Sequence, residues 1–462
     1  MNRTLTQSPV TPTLVRLTLP MIWGVFAIIA FSLADTYFVA QLGTRQLAAM
    51  SFTFPVVTLL GSVSMGLGVG AASVIARAIG VGERDRVRRL TTNSLSLALL
   101  LVALLAIAGL ATIDPVFTAL GAGPDVLPLV REYMTIWYGG VLFLVVPMVG
   151  TSALRAAGDT FIPSVIMTVA ALVNIVLDPL LIFGFGPVPG LGLKGAAIAT
   201  VIGRATTLIA SVLFLHFREK MLLWKLPHPK DLVADWRLVL HVGIPATGTQ
   251  AIAPISTALI TGLIATYGAP AVAGFGIATR VEAFALIVLM ALSASIGPFV
   301  GQNWGAQRYD RVYRAIRISF IFCLIWGLLL TVILAAGSEQ IAAQFDTNSQ
   351  VVAIASTYLT LVPISYGTLG LMLVASSSFN ALGKPLPSLT MTVGRLLVLY
   401  VPLAYLGSFL FGITGIFAAA CFANLVVGIG AYWWTQKTQK ARSAEPVIES
   451  GVGIRESGVG KI

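Results

Sequence analysis

Twelve times along this chain, an apolar run long enough to cross a bilayer gives way to a short polar connection. The runs lie at about 14 to 40, 51 to 78, 91 to 113, 128 to 154, 161 to 185 and 193 to 216. A second set lies at about 237 to 266, 274 to 302, 315 to 336, 350 to 378, 386 to 410 and 412 to 435. Lipid offers the backbone no hydrogen bonds, so a spanning segment satisfies its own as a helix or pairs with neighbours in a closed barrel. Barrel strands read as alternating segments of about ten residues, and these runs are continuous. With 57% hydrophobic and 10% charged residues, the expected class is an all-α polytopic membrane protein of twelve helices.

The formal net charge of +11 does not point to nucleic acid, because its distribution follows the spans. Basic residues gather in alternate loops: "GERDRVRR" after the second run, "FREKMLLWKLPHPKD" after the sixth, "AQRYDRVYRAIR" after the eighth and "TQKTQKAR" at the end. Short basic loops stay in the cytoplasm. Both termini are therefore expected there, with the protein in the cell inner membrane. The N-terminal "MNRTLTQSPVTPT" has no cleavable-signal pattern, so the first span is expected to direct insertion. Cys323 and Cys421 lie in separate late runs and form neither a disulfide framework nor a metal site. His216, His228 and His241 read as solvated interface residues.

The chain also repeats itself. A shift of 225 residues sets Pro20 on Pro245, Gly43 on Gly268, Ala48 on Ala273, Met65 on Met290 and Gly80 on Gly305. The loop "DRVRR" falls on "DRVYR", Gly158 falls on Gly383, and a one-residue slip aligns "PSVIMTV" with "PSLTMTV". Six spans are an even number, so the halves share one orientation and a pseudo-two-fold axis runs along the membrane normal. Two such bundles that rock around a shared cavity describe a transporter. The expected division is an N-terminal lobe at 1–216, a cytoplasmic linker at 217–236, a C-terminal lobe at 237–440 and a disordered tail at 441–462.

The halves differ in their acids. Asp35 maps onto Ile260, and Asp178 onto the neutral surroundings of Val401 and Pro402. A carboxylate inside a span is costly unless protonated, paired or wet. Both acids lie late in outward-running spans, and Asn174 stands one turn before Asp178 on the same face. Two carboxylates close together in a low dielectric do not readily both ionise, so the pair reads as a proton or small-cation site, with Asn174 and Thr200 as uncharged partners. The alternatives are a pair of interfacial acids facing outside water and, for Thr200, plain helix packing. Pro20, about 22 Å before Asp35 along a helix, removes a backbone hydrogen bond and is either a hinge or a static kink. Arg280 and Glu282, two apart and on different helical faces, read as wet residues near the outer end of their span. Arg204 and Arg395 pair with neighbours or snorkel, and neither is assigned a transport role.

Together "ADTYFVAQLGTRQLAAMSF", "GERDRV", "NIVLDPLLIFGFGPVPGLGLKGAAIAT" and "GQNWGAQRYDRV" resemble the multidrug and toxic compound extrusion (MATE) family, in its DinF-like branch, over essentially the whole chain. The resemblance implies a V-shaped exporter of two six-helix lobes that expels cationic and amphipathic compounds by ion antiport. It implies that Asp35, Asn174 and Asp178 form the coupling site and that the first helix bends at Pro20 when the acid is protonated. The related NorM-like branch carries acids in its seventh and tenth spans, which this chain lacks. That favours protons over sodium, with sodium-coupled export as the alternative. No cofactor is implied, the partners are small drugs and membrane lipids, and the expected state is a monomer. A flippase for lipid-linked sugars is the nearer rival and would need a strongly basic cavity. An intramembrane aspartyl protease also uses two acids, but the residues before Asp35 and Asp178 lack the Gly-x-Gly-Asp signature, and a protease has no reason for the duplication.

Overall fold

A computed structural model describes residues 5–186, 188–223 and 228–443 of the chain. Among them, nine helices are each long and apolar enough to cross a membrane, and two bent pairs, Leu127–Gly139 with Leu142–Ala156 and Ala269–Ala285 with Ile287–Gly305, each make one further span. The longest helical stretch, Pro385–Thr438, contains a reversal at Gly412, where φ is 63° and ψ is −147°, a conformation open essentially to glycine alone. Gly407 and Gly415, on either side of it, stand in direct backbone contact. That stretch is therefore two antiparallel spans, and the total is twelve.

The first six spans are Val10–Ala40, Thr44–Val81, Arg84–Ala111, the bent pair at 127–156, Phe161–Phe183 and Leu193–Leu213, the last continuing as a π-turn to Arg218. The seventh is Pro229–Ala265, the eighth the bent pair at 269–305, and the ninth Tyr309–Ala343. The tenth joins Ser349–Leu361 to Tyr366–Ala381 through one 3₁₀ turn. Its break falls 225 residues after that of the fourth span. Left-handed backbone recurs at the same interval: Gly43 with Gly268, Gly82 with Gln307, and Gly158 with Gly383.

Several helices extend past the expected runs, the ninth spanning Tyr309–Ala343 rather than 315 to 336, and three further boundaries differ. The fifth helix ends at Phe183 rather than 185, because Gly184 turns to φ 84° and opens a two-residue ribbon, Gly184–Phe185 antiparallel to Val188–Pro189. The seventh helix starts at Pro229, inside the expected linker, with proline in its first turn, where the missing N–H costs nothing. It is tied back to the third span, since Asp235 accepts from Arg89 Nε at 3.1 Å and from Asn93 Nδ2 at 2.8 Å. The last helix runs to Ser443. The rest of the expected tail, 444–462, and linker residues 224–227 lie outside the described residues.

The lobes exchange their leading helices. Leu5, Val10, Leu14 and Leu17 belong to a core built otherwise from residues 289–431, and Val239 joins the core of the first lobe. The lobes are sealed near the face that carries the basic loops, called the basic face below. There Ser73 Oγ donates to the Asn380 carbonyl at 2.5 Å, Gln302 Nε2 to that of Ala156 at 2.7 Å, and Arg77 Nη1 to that of Leu382 at 3.2 Å. Small residues permit the approach: a Cβ on Gly301 would lie 2.7 Å from that of Ala76, and one on Gly66 would overlap Thr247 and the Gly243 carbonyl. Association through small residues is how helices pack when lipid removes the hydrophobic drive.

Candidate functional site

The site is assembled by close packing of the first, fifth and sixth spans. In "LKGAAIATVIG" the small residues Gly195, Ala199 and Gly203 recur every four positions and so line one helical face. A Cβ on Gly195 would overlap the Leu181 carbonyl, and one on Gly203 would sit 3.1 Å from that of Ala170 and 3.4 Å from Asn174 Cβ. This contact carries the Thr200 main chain to Asn174. On the other side of the fifth span, Gly24 abuts Ser164, 3.0 Å from its Oγ to a would-be Cβ. The first and fifth spans both run away from the basic face. Asp35 lies eleven residues beyond Gly24 and Asp178 fourteen beyond Ser164, so the acids reach similar depth.

Asp178 is fully buried, and Asn174 is 2% exposed. The Asn174 amide satisfies its surroundings in one orientation: Nδ2 donates to Asp178 Oδ2 at 2.7 Å, and Oδ1 accepts from the Thr200 main-chain N–H at 3.1 Å. Hydrogen bonding of this kind is what assigns an amide's orientation. The other carboxylate oxygen, Asp178 Oδ1, has no hydrogen-bond partner among the described residues. Asp35 is only partly buried and lies close enough for its charge to act on Asp178. The structure brings Asn174 into contact with Asp178, with Asp35 within electrostatic range of the pair. Thr200 contributes through its backbone N–H; its side chain is 5% exposed.

Two members were missed from sequence. Arg204 follows Thr200 by one turn, stacks over the Trp137 ring at 5.4 Å, and lies within electrostatic range of Asp35. Tyr133, 5% exposed and one turn before Trp137, also faces the charges of Asp35, Asp178 and Arg204. The signal for Arg204 was available, because an arginine on the same helical face as a proposed site residue, deep in a span, requires a partner. The signal for Tyr133 was not, because an aromatic in a span is most often packing.

Pro20 lies within one continuous helix, so the structure holds the first span unbroken at the expected hinge.

The second lobe corrects another expectation. Ile260, at the place of Asp35, is fully buried in an apolar core, as the repeat foretold. Glu282, however, is not a wet interface residue: it is partly buried and accepts from Tyr358 Oη at 2.6 Å. Arg395 donates to Asn424 Oδ1 at 2.9 Å, and Asn424 Nδ2 to Ser365 Oγ at 2.9 Å. The second lobe thus has a polar network of its own. Arg280, as expected, is exposed.

Two six-helix lobes related by an axis along the spans, sealed together near the basic face and with an acid pair inside one lobe, define a two-lobed membrane transporter rather than an enzyme. The MatE family model matches the chain twice, over residues 20–180 and 245–406, again offset by 225, and the chain belongs to that family. A FAD transporter of Shewanella oneidensis is 40% identical over 443 residues, covering 96% of this chain and 97% of that one. The probable multidrug resistance protein YoeA of Bacillus subtilis is 27% identical over 86% of this chain and 88% of its own. Among solved structures, the Vibrio cholerae MATE transporter VcmN in a bent form is similar with a TM-score of 0.88 at 30% identity, over 96% of this chain and 99% of that one. A multidrug resistance MATE family transporter in an outward-facing conformation matches with a TM-score of 0.88 at 25% identity, over 96% and 98%.

Proposed function

We propose that this protein is a proton-coupled exporter of flat organic molecules, with a flavin nucleotide such as FAD as its leading substrate. It works as a monomer in the cell inner membrane, with the basic face and both termini in the cytoplasm, and it belongs to the DinF-like branch. The observation that carries the coupling is Asp178, with one oxygen held by Asn174, the other without a hydrogen-bond partner among the described residues, and the more exposed Asp35 within electrostatic range. A proton entering from the open side neutralises one of two adjacent carboxylates and changes the pull of Asp35 on Arg204. Differential interaction of this kind is what biases a two-state element, and Pro20, which leaves the Arg16 carbonyl without its helical donor, is the flexible point of the helix carrying Asp35.

Protons are favoured over sodium because residues 237–266 and 350–378 carry no acid where the NorM-like branch has them. The flavin assignment rests on the FAD transporter, the more similar of the two relatives above, and on Arg280. That arginine lies eleven residues into its helix, about 16 Å at 1.5 Å per residue, and an exposed guanidinium at such depth faces water rather than hydrocarbon. It offers an exposed cation suited to phosphate. Export of cationic amphipathic drugs is the second reading, supported by YoeA and by the exposed edge of Asp35.

The test is transport by everted vesicles. An imposed pH gradient is expected to drive FAD uptake, and added sodium neither to drive nor to dissipate it. Sodium-dependent uptake without a pH gradient overturns the coupling ion, and uptake of ethidium without FAD transfers the substrate reading to drugs.

A further inference from the structure

We infer that Met65 and Met290 form the floor of the substrate chamber and hold a flat aromatic ring system between them across the pseudo-two-fold axis. The inference deepens the proposed function and rests on it for the identity of the ring.

The two methionines are repeat partners, 225 residues apart, in the second and eighth spans. Eleven residues is close to three helical turns, so Met65 shares a face with Ala76 and Met290 shares one with Gly301. Ala76 and Gly301 meet in the seal between the lobes. The face from Met65 to Ala76 and the face from Met290 to Gly301 therefore point at each other. At the Ala76 and Gly301 end they touch; three turns further from the basic face, about 16 Å on, the methionines are 45% and 46% exposed. Opposed faces that touch at one end and are open at the other border a cleft, with an exposed methionine on each side.

The seal on the other two leading helices agrees in depth. Gly66, beside Met65, is in contact with Gly243 and Thr247 of the seventh span, and Gln250 Nε2 of the same span approaches Met65 Sδ at 3.6 Å. Ser295 Oγ donates to the Leu17 carbonyl at 3.1 Å, just beyond Met290. Met65 thus sits directly beside a closed crossing point, and Met290 about 7.5 Å from one. The eighth span is also bent by 45° between Ala285 and Ile287, one turn before Met290.

Methionine suits this position chemically. Its thioether is polarizable, its chain adapts to shape, and sulfur makes favourable contacts with aromatic rings. Two of them on opposite walls offer a soft clamp without charge, so the floor selects flatness and polarizability, while Arg280 nearer the mouth selects the anionic tail. An isoalloxazine ring carrying phosphates matches both.

The experiment uses the full-length protein in lipid nanodiscs. Flavin fluorescence is read on titration with FAD, for the wild type and for Met65→Ala, Met290→Ala and both together. Each single change is expected to weaken binding several-fold, and the double change by less or more than the product, because both side chains touch one ring. As a geometric test, Met65→Cys with Met290→Cys, in a Cys323→Ala, Cys421→Ala background, is expected to cross-link through a flexible bis-maleimide, and FAD to protect against it. Protection by ethidium but not FAD supports the floor and moves the substrate to cationic drugs. Absence of the cross-link in a folded protein, protection by neither ligand, or wild-type affinity in the double alanine variant overturns the floor.

Discussion

Tyr133 and Tyr358 are separated by 225 residues, are both buried, and serve opposite lobes. Tyr133 lies within electrostatic range of Asp35 and Arg204, whereas Tyr358 Oη donates to Glu282 at 2.6 Å. The same duplicated tyrosine has been built into two different polar networks. Only the first also contains a second carboxylate with a free oxygen. Tyr133→Phe is therefore expected to lower proton-driven export while Tyr358→Phe leaves coupling intact and destabilises the second lobe by about 1–3 kcal/mol, the usual cost of orphaning a buried polar group. Transport per proton moved, beside the thermal midpoint of each purified variant, separates the two effects.

Asp35→Asn removes the titrating group with little change in volume. Loss of pH-driven export is expected with a normal thermal midpoint. Wild-type export by this variant sinks the coupling role of the acid pair.

Asn174→Leu deletes the donor to Asp178 Oδ2 and the acceptor for the Thr200 N–H at once. A fall in stability of about 1–3 kcal/mol for each buried group left unsatisfied is expected, together with strong loss of export. Asn174→Asp keeps the size but replaces a donor with a third acid, and is expected to bind protons without completing transport.

Arg204 acts on Asp35 and stacks on Trp137, so its replacements separate charge from shape. Arg204→Lys keeps the charge and loses the planar stack; partial export is expected. Arg204→Gln loses both, and export is expected to vanish. Equal export by the two variants would remove the arginine from the site.

Pro20→Ala restores a backbone donor inside the first span. The infrared carboxyl signal of Asp35 is expected to titrate as in the wild type, while drug or flavin efflux from cells falls. Full efflux would make the proline static architecture and leave rocking of the lobes as the conformational step.

The sequence by itself determined the number of spans, their helical state, the duplication and the lobe that carries the paired acids. These follow from properties that each segment holds alone. Lipid forces every spanning backbone to satisfy itself locally, so length and hydropathy suffice, and the 225-residue repeat writes the symmetry into the chain. Asp35 and Asp178 were legible because an acid in hydrocarbon has no cheap bystander role. Tertiary structure alone decided what those residues touch. Whether Glu282 met water or Tyr358, whether Arg204 snorkelled or turned to Asp35, and which end of the opposed faces of Met65 and Met290 was closed all depend on helix rotation and crossing. Those are set by contacts such as Gly301 with Ala76 and Gly203 with Asn174, between residues far apart in sequence, and the packing of small residues has no hydropathy signature from which a register could be read.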